Sequence, residues 1–95
     1  MTRDEALRWA AEARVARDQL LEDLGSGRLT LSGAFDRIHH DDHVASMRVL
    51  PVLEAVPGAS KVATRRALAE IGVDERSPLS KLDAAAMVER FGVPR

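Results

Sequence analysis

Ninety-five residues with no cysteine exclude disulfide staples, thiolate metal sites and a two-domain catalytic cleft, leaving one small domain held by its core alone. Hydrophobic residues at 45% and charged residues at 31% exclude a disordered chain, and a net charge of −1 excludes one coated on all sides by nucleic-acid phosphates. The charge is unevenly placed: residues 1–47 carry six basic and nine acidic side chains, net −3, while residues 48–95 carry eight and six, net +2, so any anion-binding face belongs to the second half.

Thr2 with Glu5 three residues on forms a capping box, and Ala6, Leu7, Ala10, Ala13, Leu20, Leu21 and Leu24 recur behind it at helical spacing. This predicts a helix over about residues 4–24, stopped by Gly25-Ser26-Gly27, with Trp9 packed into the core. Thr30 or Ser32 caps a shorter second helix whose apolar side is Leu31, Ala34, Phe35 and Ile38, ending near His40. Asp41 or Asp42 caps one further turn through Val44 and Met47.

In "RVLPVLEAV", Pro51 suits a first helical position, where its missing N–H costs nothing, so a helix is predicted over about 51–56. Pro57-Gly58 ends it, and Ser60 caps the next, over about 60–71, with Val62, Ala63, Ala67, Leu68 and Ile71 as its apolar face. Ser80 with Asp83 marks a last capped start, followed by Leu82, Ala85, Ala86, Met87, Val88 and Phe91 and closed by Gly92 and Pro94. Only "RLTL" and "GVD" hint at extended chain, and both are too short to pair into a sheet. The expected fold is all-α: a long N-terminal helix and its stop over 1–27, then a compact helical part over 28–95, forming one unit. The N-terminal stretch is too charged for a signal peptide, and no segment approaches about 18 consecutive apolar residues, so a soluble cytoplasmic protein without membrane contact is expected.

The cluster "HHDDH" at 39–43 holds competent metal ligands, but it lacks the glutamate of HExxH and an aspartate interrupts its helix, so it reads as a solvated polar bend. The serines fall at caps and turns, and the acids mostly on outer helix faces, so no nucleophile or carboxylate pair suggests an enzyme. No metal, cofactor or small-molecule substrate is expected. At 3% aromatics and no tyrosine, a stacking platform for single strands is not expected either. "VPGASKVATRR" at 56–66 differs: a tight turn feeds a helix N-terminus, and from residue 55 to 69 Lys61, Arg65 and Arg66 meet no acid. Backbone donors and cations could there converge on one phosphodiester strand.

Three stretches carry a resemblance that covers most of the chain. "AAEARVAR" at 10–17 is similar to the leading-helix signature of the mycobacterial-type integration host factors of actinobacteria, small nucleoid-associated DNA-binding proteins. "MRVLPVLEAVPGASKV" at 47–62 resembles that family's central "KVxxLLExLPGVGKV" block, and "LSKLDAAAMVERFG" at 79–92 its closing helix. The resemblance implies a long helix leading into a compact domain with a helix–two-turn–helix element, and DNA contacts made mainly to the backbone. It further implies that Pro57, Gly58, Ala59, Ser60 and Lys61 form the phosphate-facing loop, with Arg48 before it and Arg65 and Arg66 after it. The chain has Ala59-Ser60 where the family usually has Val-Gly, and "DERSPLS" where it has an "RRVRGLG"-like run, of which Arg76 remains as a DNA contact. The expectation is a non-enzymatic, nucleoid-located protein that grips duplex DNA. The alternative is a protein-interaction module on the same fold, with a protein partner in place of DNA.

Overall fold

In the computed structural model, which describes residues 2–92, the chain is all-α, with no strand among the described residues. Helix α1 (Arg3–Ser26) begins where the Thr2 hydroxyl accepts the Glu5 N–H at 3.2 Å, with Asp4 and Glu5 at the positive end of the helix dipole. It continues through Gly25, because one glycine in a last turn is tolerated. It stops at Gly27, whose φ of 82° is left-handed and whose N–H bonds back to the Leu24 carbonyl.

Of the two candidate caps for α2 (Leu31–Asp36), Thr30 is the one used: its hydroxyl accepts the Gly33 N–H at 3.0 Å, and Ser32 lies inside the helix. A 3-10 turn (Arg37–His39) follows, then α3 (Asp42–Ala45), capped by Asp41, which accepts the His43 N–H at 2.9 Å. The remaining helices are α4 (Val49–Ala55), α5 (Lys61–Glu70) and α6 (Ala84–Phe91), with a 3-10 turn (Leu79–Lys81) before the last.

Helix α4 starts two residues earlier than Pro51 alone suggests, and the reason is tertiary. The N–H groups of Val49 and Leu50 donate to the carbonyls of Ser77, at 2.9 Å, and Glu75, at 3.3 Å, so a distant segment serves as the cap. The Leu79 N–H returns to the Met47 carbonyl at 2.9 Å, and Arg48 and Pro78 form an antiparallel bridge. Pro51 is thus the third helical residue, still within the first turn, where no intrahelical partner is lost.

At α6 the cap is Asp83, which accepts the Ala86 N–H at 3.2 Å, while Ser80 sits in the preceding 3-10 turn. Asp83→Ala is therefore expected to cost about 1 kcal/mol of stability and Ser80→Ala almost nothing. Thermal melts of the two variants check the assignment. Pro94 lies outside the described residues.

Helix α1 packs on α3 and α4, α2 on α6, and α4 on α5. The core between them is built from Leu20, Leu24, Phe35, Val44, Val49, Val52, Leu53, Leu68, Leu79 and Met87. Only the second half of α1 reaches this core; residues 2–12 are all exposed, and the molecule measures 43 × 28 × 23 Å. Trp9 is consequently not a core residue: it is 46% exposed and lies with its ring 4.1 Å from that of His43. Leu7, expected on the buried side, is likewise exposed. In α5 the inward face is Thr64, Ala67 and Leu68, whereas Val62 and Ala63, expected there, face solvent. Residues 64, 67 and 68 form an i, i+3, i+4 face, and Val62 lies on the opposite side of the helix.

Candidate nucleic-acid interface

Residues 56–59 form a turn closed by the Ala59 N–H donating to the Val56 carbonyl at 3.0 Å. Pro57 followed by Gly58 with φ 83° is the type II pattern, which requires a residue that tolerates positive φ at its third position. Neither Ala59 nor Ser60 has positive φ, so both carry side chains without backbone strain. Ser60 is the N-cap of α5: its hydroxyl accepts the Ala63 N–H at 3.4 Å, and its carbonyl accepts the Thr64 N–H at 2.9 Å. With Ala59 committed to the turn and Ala63 to the cap, the N–H groups of Gly58, Ser60, Lys61 and Val62 keep no backbone or side-chain acceptor among the described residues. They stand at the positive end of a ten-residue helix that has no acid in its first turn.

Pro57, Gly58, Ser60, Lys61, Arg65 and Arg66 are all exposed, and Ala59 is partly so. Lys61 and Arg65, four apart, share an edge of α5, and Arg66 lies on the outward face beside Val62. Arg65 is not the uncompensated cation that the 55–69 window suggests. Its Nε lies 3.6 Å from the Glu75 carboxylate, with the two side chains 60% and 43% exposed. Such an exposed pair contributes about 0–1 kcal/mol and leaves the guanidinium free to exchange partners.

Arg48 is the N-cap residue of α4 and exposed, and Arg76, itself exposed, lies on the partly buried segment bridged to it, with its N–H donating to the Asp74 carboxylate at 2.8 Å. Eight of the nine residues singled out therefore fall into two groups, with Arg66 on the outward face of α5 belonging to neither. Pro57, Gly58, Ala59, Ser60 and Lys61 lie at the C-terminal end of α4, and Arg48, Arg65 and Arg76 gather around its start with Glu75 among them. The two ends of the seven-residue α4 are about 10 Å apart, and the Lys61 and Arg65 edge of α5 runs between the groups. Glu75 escapes sequence reasoning because it lies beyond any window centred on the turn. Apart from this group, Arg17 of α1 lines a separate recess together with Arg48, and its distance in sequence hides that pairing too.

The "HHDDH" cluster is dispersed. Asp41 caps α3, the rings of His39 and His40 meet edge to face at 6.4 Å, and His43 turns to Trp9 with its Nε2 3.9 Å from the Glu12 carboxylate. Among the described residues no three such side chains are grouped to hold a metal ion, and no helix is long and apolar enough to cross a membrane.

No family model matches the sequence. The chain is 31% identical over 93 residues to the integration host factor of Mycobacterium tuberculosis (strain ATCC 25618 / H37Rv), a match spanning 95% of this chain and 89% of that protein. Its fold matches the structure of sIHF bound to an 8-bp palindromic DNA with a TM-score of 0.80 and 25% identity, over 90% of this chain and 99% of that one.

Proposed function

The chain belongs to the mycobacterial-type integration host factor family, and on that premise we propose that it is a non-enzymatic, nucleoid-associated protein that binds duplex DNA. Contact is mainly with the phosphate backbone, through the 57–61 turn and the N-terminus of α5, with Arg48, Arg65, Arg66 and Arg76 holding neighbouring phosphates. The observation that carries this reading is the set of unpartnered amides at Gly58, Ser60, Lys61 and Val62, at a helix end with cations and no acid in its first turn. Backbone contact implies weak sequence preference and affinity that falls with salt, because each phosphate engaged releases condensed counterions. A duplex titration across a salt series, with cation-deleted variants alongside, tests it.

Glu75 restrains the site it belongs to. Glu75→Gln removes the acid beside Arg65 while keeping its backbone carbonyl on Leu50, and is expected to tighten duplex binding about two- to fivefold at low salt. Fluorescence anisotropy with a labelled duplex measures this, and weaker binding by the variant would contradict the assigned position of Arg65.

One observation favours a second reading. Helix α1 exposes Leu7 at 60% and, near its middle, Val15 at 69%, apolar side chains that a protein partner would cover. A stoichiometric protein complex insensitive to loss of Lys61, Arg65 and Arg66, together with no duplex affinity at low salt, would establish that reading in place of DNA binding.

A further inference from the structure

Between α1, α3 and α4 lies a recess of about 420 Å³ whose wall holds the guanidinium side chains of Arg17 and Arg48 and no carboxylate. Met47 is its buried floor, Pro51 adds exposed apolar lining, and His43, whose ring meets that of Trp9, forms another side. Arg48 has no acid partner among the described residues, and Arg17 reaches only Asp18, at 3.9 Å between exposed groups. The other acid nearby, Glu12, is 3.9 Å from His43 Nε2 and outside the lining. We infer that this recess binds a nucleotide-sized phosphate monoester, with the phosphate against Arg17 and Arg48 and the apolar body over Met47 and Pro51.

Size and shape select that ligand. The volume greatly exceeds an inorganic phosphate and falls within the range of small-molecule sites, about 300–1,000 Å³. A duplex presents its phosphates on a convex cylinder and can reach an exposed rim residue such as Arg48, whereas the recess itself descends to Met47, which is only 6% exposed. Two guanidiniums at one site suit a doubly charged phosphate, which accepts planar forked donors.

The test uses the full chain titrated with adenosine 5′-monophosphate, followed by backbone amide NMR, with adenosine as the uncharged control. Saturable shifts at residues 13, 17 and 46–48 are expected, with adenosine binding at least about tenfold more weakly because it lacks the charge-assisted contacts. Arg17 is outside the proposed set of duplex contacts, so its variants separate the two ligands: Arg17→Ala is expected to weaken nucleotide binding about tenfold and leave duplex affinity unchanged, and Arg17→Lys, which keeps the charge, to fall between. A thermal melt confirms that each variant is folded. Absence of saturation at millimolar nucleotide, or equal binding of adenosine, overturns the inference. So does a parallel loss of duplex affinity in Arg17→Ala, which would assign the recess to the DNA surface.

Discussion

Replacing Lys61, Arg65 and Arg66 together by alanine is expected to lower duplex affinity about a hundredfold at low salt and to flatten its salt dependence. A footprint of about three to four phosphates gives a slope of log affinity against log salt near −3, and removing three cations, with Arg48 and Arg76 left in place, brings that slope to about −1. The control is built into the geometry. All three side chains are exposed and project away from the core that Thr64, Ala67 and Leu68 join, so the melting temperature is expected to stay nearly constant. Isothermal titration at three salt concentrations reads both quantities. An unchanged slope would show that phosphates are held elsewhere, and the assignment of the α5 N-terminus would fall with it.

Leu79→Ala is expected to be the most damaging single change outside the helices of the core, at about 2–5 kcal/mol, a large share of the roughly 5–15 kcal/mol that holds a small domain together. Leu79 is fully buried although it sits on a one-turn element, and its N–H is bonded to Met47. Cutting back its side chain opens a cavity under the segment whose carbonyls cap Val49 and Leu50 and whose side chains include Glu75 and Arg76. Urea denaturation measures the loss. Leu7→Ala, at a residue 60% exposed on the free half of α1, is expected to change stability by less than about 0.5 kcal/mol, so the pair separates burial from mere hydrophobicity. Similar midpoints for the two would mean that the 74–79 segment is not seated as described.

What could be read in the chain was what depends on neighbours in sequence. The caps at Thr2, Ser60 and Asp41 and the Pro57-Gly58 turn are decided within four residues, and each forms where its local chemistry points. The start of α4 could not be found that way, because its first two N–H groups are satisfied by carbonyls more than twenty residues later. Trp9 lies outside the core for a related reason. Helical periodicity tells which residues share a face but not how far along α1 the core extends, and residues 2–12 are all exposed although Trp9 still meets the His43 ring. At the candidate interface the cations of α5 and their turn were visible as a local concentration of charge. The acid that tempers Arg65, and the gathering of Arg48, Arg65 and Arg76 around the start of α4, are products of the fold.

The tilted contact of Trp9 with His43 gives the molecule an optical property. It is the only tryptophan, and the chain has no tyrosine, so emission excited at long wavelength comes from this one ring. The indole touches imidazole at 4.1 Å, outside the hydrophobic core, and so reports whether the exposed half of α1 lies against α3 rather than whether the core is intact. Fluorescence and circular dichroism therefore follow different events in this chain. A helix arm that lifts away before the core melts would appear as a change in emission that precedes the loss of ellipticity.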